Sequence, residues 1–179
     1  MRYVLLLRGI NVGGRNKIVM AELRQQVLDL GYDQVETYIN SGNLFFDAKK
    51  KKEEIVADFR DFFASHYPFV EAFSLLSARD YATEVAQLPA WWQEELARKD
   101  VLFYTDRSQK TLIEDWVSQL DLGEEIIYFG QTALFWGKYD EQSYLQTAYH
   151  KKLANQVFYK SLTIRNHKTF AKLAEFLEK

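Results

Sequence analysis

The chain of 179 residues has no cysteine. That absence excludes disulfides, a thiolate nucleophile and cysteine-ligated zinc together. Histidines are few: His66, His150 and His167 are scattered, without the spacing of a metal site, so no metal centre is expected. Charge of one sign is not in excess either. Lys and Arg number 23 against 25 Asp and Glu, a net charge of −2. A polyanion-binding protein usually carries a basic excess, which counts against nucleic acid as a partner unless a local patch supplies it. No apolar run approaches the ~20 residues that cross a bilayer, so no membrane partner is expected. The chain also passes from Met1-Arg2 straight into Tyr3-Val4-Leu5-Leu6-Leu7 without the apolar stretch of a signal peptide, and a cytoplasmic location is expected.

What is present is ordinary for a globular protein: 47% hydrophobic and 27% charged residues. Aromatics reach 16%, enough to supply a substantial core. The length suits one large domain or two small ones.

The pattern of apolar residues predicts an α+β protein. Residues 3–7 read as a strand, followed by a glycine-rich loop. Met20, Leu23, Val27 and Leu30 recur at helical spacing, and Gly31 stops that helix. Residues 35–39 and 44–46 form strands around the turn Asn40-Ser41-Gly42-Asn43. Ile55, Phe59, Phe62 and Phe63 mark a helix, residues 70–76 a strand and residues 78–88 a short helix. The order is β-α-β-β-α-β plus one helix. From residue 101 it repeats: a strand over 101–105, a helix marked by Leu112, Trp116 and Leu120, a hairpin over 126–129 and 133–136, a helix marked by Leu145, Tyr149, Leu153 and Val157, a strand over 162–165, and a last helix marked by Phe170, Leu173 and Leu177.

One stretch repeats in its residues as well. Leu28-Asp29-Leu30-Gly31 corresponds to Leu120-Asp121-Leu122-Gly123, and Leu44-Phe45-Phe46 to Leu134-Phe135-Trp136. The expected fold is therefore a tandem repeat of two ferredoxin-like halves, 1–88 and 100–179, with a linker over 89–99. Right-handed crossovers would set the first strand of each half between its fourth and third, with the second outside the third. The strands are apolar at consecutive positions, so their helix-free faces should be buried, against each other or in a homodimer. Buried faces count against a fold that reads RNA on an open sheet. Pro89 reads as a helix start and Trp91-Trp92 as residues that pack over the junction, with ligand stacking as the alternative.

The halves differ in the loop after the first strand. Val4 and Val101 are offset by 97, but Leu30 and Leu122 by 92, so the first half has about five extra residues there. They lie in Arg8-Gly9-Ile10-Asn11-Val12-Gly13-Gly14-Arg15-Asn16-Lys17. Glycines allow backbone N–H groups to converge on an anion, and a following helix N-terminus favours negative charge. Arg8, Arg15 and Lys17 add charge; Asn11 and Asn16 add amides. The loop matches neither the Walker nor the dinucleotide fingerprint, and no cofactor is implied. Topology would bring Asn40, Ser41 and Asn43 to the same end of the sheet. Those residues also suit a plain turn. A third candidate is Thr163-Ile164-Arg165-Asn166-His167-Lys168-Thr169, where Asn166 suits a helix N-cap and Arg165 and His167 could meet an anion. The run of lysines at 49–52 before Glu53-Glu54 reads as a solvated helix entry. Ser41 has no evident base, and no carboxylate pair is spaced for acid–base work.

Leu7-Arg8-Gly9-Ile10-Asn11-Val12-Gly13-Gly14, with Asn16-Lys17, Met20-Ala21-Glu22-Leu23, Leu30-Gly31 and Tyr38-Ile39-Asn40-Ser41-Gly42-Asn43, resembles the bacterial proteins grouped as domain-of-unknown-function family 1697. Thr163, Arg165, Asn166 and Thr169 fit the family's Thr-x-Arg-Asn-x-x-Thr pattern; His167 stands where the family often has Trp. The resemblance implies a tandem ferredoxin-like fold and no established activity. The expected function is binding of a small anionic ligand, phosphorylated or carboxylated, such as a nucleotide. Its site would comprise Arg8, Asn11, Gly13, Gly14, Arg15, Asn16, Lys17, Asn40, Ser41 and Asn43, joined by Arg165 and Asn166. The alternatives are a protein-interaction or dimerisation module and nucleic-acid binding.

Overall fold

The computed structural model describes residues 1–140 and 147–179. It is a mixed α/β structure with two four-stranded antiparallel sheets and, among the described residues, six α-helices. The chain divides into two compact units. Unit 1 is Met1–Tyr81 with Leu173–Lys179, and unit 2 is Ala82–Lys172.

Unit 1 begins with β1 (Arg2–Leu7), α1 (Met20–Asp29), β2 (Asp33–Tyr38), β3 (Asn43–Asp47), α2 (Lys52–His66) and β4 (Phe73–Ser77), followed by α3 (Ala78–Ala86), which runs across the boundary. The sheet order is β2-β3-β1-β4. All of β1 is buried. Alternate residues point to opposite faces of a strand, so a strand buried throughout needs cover on both sides. On one face Tyr3, Leu5, Leu7, Leu44 and Phe46 pack with Leu23 and Val27 of α1 and with Ile55, Phe59, Phe62 and Phe63 of α2. Phe59 anchors this cluster, with ring contacts to Tyr32, Phe46, Phe62, Phe63 and Phe73. On the other face Val4 pairs with Phe45, which stacks on Phe176 with ring centroids 4.5 Å apart.

Unit 2 contains β5 (Arg98–Tyr104), α4 (Lys110–Ser118), β6 (Glu125–Phe129), β7 (Ala133–Lys138), α5 (Ala148–Lys152) and β8 (Leu162–Asn166), and the start of α6 (His167–Leu177). Its sheet order is β6-β7-β5-β8. Leu102, Tyr104, Leu134 and Trp136 face Ile113, Val117, Tyr149, Leu153 and Phe158. On the opposite face Phe135 meets the rings of Phe170 and Trp92 at 5.4 and 5.0 Å. These second faces are buried as the consecutive apolar residues require, with ring contacts from Phe176 in unit 1 and from Phe170 and Trp92 in unit 2.

Three readings from the sequence need correction. The fourth strand starts at Phe73, not residue 70. In α4 the fully buried positions are Ile113 and Val117; Trp116 and, just past the helix, Leu120 pack partly buried against the same core, and Leu112 is exposed. Adjacent apolar pairs at 112–113 and 116–117 make one broad stripe, and packing centres it on Ile113 and Val117. Leu153 and Val157 do not continue α5: each lies in a short 3-10 turn, and Val157 is 94% exposed. Leu145, assigned to that same helix, lies outside the described residues.

Candidate functional site

The end of β1 is held on both sides. Leu7 N–H donates to the Gly42 carbonyl at 2.8 Å and Arg8 N–H to the Ala72 carbonyl at 3.2 Å. The chain then folds back on itself. Val12 and Arg15 form a small antiparallel bridge around Gly13 and Gly14, with Arg15 N–H donating to the Val12 carbonyl at 3.0 Å. Gly13 and Gly14 have φ of +57° and +74°, the left-handed pair of a type I′ turn, which glycine adopts without steric cost. Asn11 N–H donates to the Asn16 carbonyl at 3.1 Å, adding a second rung. Both asparagines also lie at positive φ, which their type tolerates best after glycine.

The amide side chains hold this shape. Asn11 Nδ2 donates to the Ile18 carbonyl at 3.0 Å and to the Asn40 carbonyl at 2.8 Å, while its Oδ1 accepts from Ile18 N–H at 2.9 Å. Asn16 Nδ2 donates to the Gly9 carbonyl at 2.9 Å. In the hairpin, buried Asn43 donates through Nδ2 to the Tyr38 carbonyl at 2.9 Å and to Ser41 Oγ at 3.1 Å. Gly42 is the point of closest approach: its φ is +82°, and a Cβ there would lie 2.7 Å from Leu7 Cβ. Loop and hairpin therefore meet at one end of the sheet, through Asn11 and Gly42.

Of the residues singled out in the sequence, Arg8, Asn11, Asn40, Ser41 and Asn43 lie at this junction. Gly13, Gly14, Arg15, Asn16 and Lys17 are exposed at the loop tip. Arg165 and Asn166 belong to unit 2. Arg165 is buried, and its Nη1 donates to Thr163 Oγ1 at 3.0 Å and to the Ile164 carbonyl at 2.8 Å. Burial pushes its guanidinium down to about 10. Asn166 caps α6, its Oδ1 accepting from Thr169 N–H at 2.8 Å. Burial, with Lys99 and Lys168 nearby, lowers the His167 imidazole. Two of the lysines at 49–52 form ion pairs: Lys50 meets Asp58 of α2 at 2.5 Å and Lys52 meets Asp80 of α3 at 2.9 Å. Hydrogen bonds from Lys50 and Tyr32 hold the Asp58 carboxyl below its ordinary range.

A family described as protein of unknown function (DUF1697) matches residues 1–135. The chain belongs to this family. A solved structure, that of conserved bacterial protein SP0830 from Streptococcus pneumoniae, is 53% identical, with 98% of each chain covered and a TM-score of 0.95. No curated protein matches. No described helix is long and apolar enough to cross a membrane.

This DUF1697 protein has a second polar cluster that the sequence did not announce. In unit 2, Lys138 and Asp100 are both buried, with Nζ 3.3 Å from Oδ2, and Lys138 Nζ lies 3.5 Å from the centre of the Tyr149 ring. Arg98 reaches the same Asp100 oxygen at 2.7 Å. Burial pushes the Lys138 ammonium down to about 8 against the opposing pull of Asp100. Buried Glu125 accepts from Trp136 Nε1 at 2.9 Å and from Ala148 N–H at 2.8 Å. A cleft of about 240 Å³ beside this cluster is lined by Asp121, Glu124, Glu125, Lys138, Asp140 and Thr147. Buried Glu84 holds the β6–β7 turn, accepting from Gln131 N–H at 3.0 Å and Thr132 N–H at 2.6 Å. Charged residues inside strands and helices look like solvent-facing positions in a sequence, which is why none of these stood out.

Proposed function

We propose that this protein binds a small anionic ligand, phosphorylated or carboxylated, such as a nucleotide, at the loop after β1. The observation that carries the reading is the loop tip. Arg15, Lys17 and the exposed Gly13-Gly14 turn stand on a frame braced by Asn11 and Asn16. A frame already closed by hydrogen bonds loses little conformational entropy on binding. The start of α1 follows directly, and its positive end favours negative charge. In this reading Gly13, Gly14, Arg15 and Lys17 meet the anion and Arg8 adds to the field. Asn11, Asn16, Asn40, Ser41 and Asn43 position the loop, and Arg165 and Asn166 serve unit 2. We further propose that residues 1–88 and 100–179 are ferredoxin-like repeats joined over 89–99, a reading supported by the matching strand orders of the two sheets.

The test is a thermal-shift screen with nucleotides, sugar phosphates and inorganic phosphate, on wild type and an Arg15→Ala/Lys17→Ala variant. A ligand at about 100 times its dissociation constant stabilises by roughly 2.7 kcal/mol, a rise of several degrees. A shift present in wild type and lost in the variant is expected. A shift of equal size in both would move the ligand off the loop.

A further inference from the structure

Three β-branched aliphatic side chains stand in water around the same loop: Val12 is 68% exposed, Val19 56% and Ile39 50%. Asn11 ties their backbones into one neighbourhood. Its side chain bonds the backbone of Ile18 and of Asn40, so Val12, Val19 and Ile39 each follow or precede a member of this junction by one residue. Val12 is also the bridge partner of Arg15, which puts those two side chains on one face of the small ladder.

Folding does not call for aliphatics at two of these positions. Ile39 has a φ of +50°, where a β-branched residue is a genuine outlier and glycine or asparagine would sit without strain. Val19 occupies the N-cap of α1 with no side-chain cap bond, where serine, threonine, aspartate or asparagine would satisfy a first-turn N–H. Scattered exposed aliphatics need no explanation. Three around one junction, two of them set against local backbone preference, point to a requirement outside folding.

We infer that the ligand of this loop is an amphipathic anion, with a phosphate or carboxylate for Arg15 and Lys17 joined to an apolar or aromatic body that covers Val12, Val19 and Ile39. The inference rests on the anion-binding reading of the same loop. Charge and surface together select the occupant. A bare inorganic anion would leave three aliphatics wet, and an uncharged apolar molecule would leave two exposed cations unanswered.

Titrating inorganic phosphate, phenyl phosphate, benzoate and AMP against wild type, Ile39→Gly and Arg15→Ala/Lys17→Ala tests this. Wild type should hold phenyl phosphate or benzoate, and AMP, at least about tenfold more tightly than inorganic phosphate. Ile39→Gly should melt higher than wild type without ligand, keep its affinity for inorganic phosphate and lose most of the preference for the ring-bearing anions. The double variant should lose every probe. Equal affinity for all probes, abolished in the double variant, would overturn the amphipathic inference and leave the anion site standing. No binding of any probe at millimolar concentration, or binding indifferent to Arg15 and Lys17, would overturn both. An Ile39→Gly variant that melts below wild type would show that folding needs the isoleucine, and would also overturn the inference.

Discussion

Units 1 and 2 thread their strands in the same order but place their polar groups in opposite ways. Unit 1 buries few: Arg2, Asn43, Ser74 and Ser77, around a core rich in phenylalanines. Its polar chemistry is displayed, on the loop of residues 8–19. Unit 2 makes the equivalent connection with a short 3-10 turn, Arg107–Gln109, where Asp106 accepts from Ser108 N–H at 2.9 Å. It takes charge inside instead, burying Glu84, Asp100, Glu125 and Lys138. Two units with one strand order have thus divided display from reinforcement. An exposed loop can change its residues at little cost to stability, whereas a buried carboxylate–ammonium pair constrains every neighbour it touches.

The sharpest way to break this contrast is at Lys138. Lys138→Ala leaves Asp100 buried with Arg98 as its remaining cation, and should cost roughly 3–5 kcal/mol in urea unfolding. A loss below about 1 kcal/mol, the size of an exposed pair, would mean that the buried charge does not hold unit 2. The same variant carries a pH signature. With Lys138 lowered from 10.5 to about 8, the unfolded chain holds a proton across that window that the folded chain has released. Stability from this group therefore rises with pH between those values, by at most ~1.4 kcal/mol per pH unit. Wild type should gain on the variant as pH is raised from 8 towards 10.

Next in size is Gly42→Ala in unit 1. A Cβ 2.7 Å from that of Leu7, at a φ of +82°, should destabilise by about 2 kcal/mol. It should also weaken any ligand response of the loop, because the hairpin can no longer seat against β1. An alanine variant with unchanged unfolding and binding would separate loop from hairpin.

The smallest effect belongs to Asn11→Ala. Losing three side-chain hydrogen bonds at a half-exposed position should cost about 1–2 kcal/mol. Hydrogen exchange should quicken at the amides of Arg15 and Ile18 while those of β5 and β7 keep their protection. Equal loss in both units would show that the loop is not a local feature of unit 1.

The element order was legible because strands and helices differ in apolar period, and Gly31 and Asn166 mark a helix end and a helix start by chemistry that needs no tertiary context. The centre of α4's buried face was not, because neighbouring apolar pairs make a broad stripe and only packing centres it on Ile113 and Val117 while leaving Leu112 exposed. The loop was legible as an insertion and as a cationic one. The work of its asparagines was not: an amide that braces a left-handed turn and an amide that meets a ligand look the same in one dimension. Ile39 shows the complementary blindness, since an ordinary isoleucine becomes unusual only once its φ is known.

Residues 173–179 belong to unit 1 although all of unit 2 precedes them in the chain. During synthesis the first sheet therefore leaves the ribosome with Phe45 lacking Phe176, its stacking partner, and keeps an apolar face open until the last turns of α6 emerge. At typical elongation rates of roughly 5–20 residues per second, the residues between 81 and 173 keep that face exposed for several seconds. The unit translated first is the one completed last, so a premature stop shortly before Leu173 would release a chain whose second sheet is whole and whose first is a hazard for aggregation.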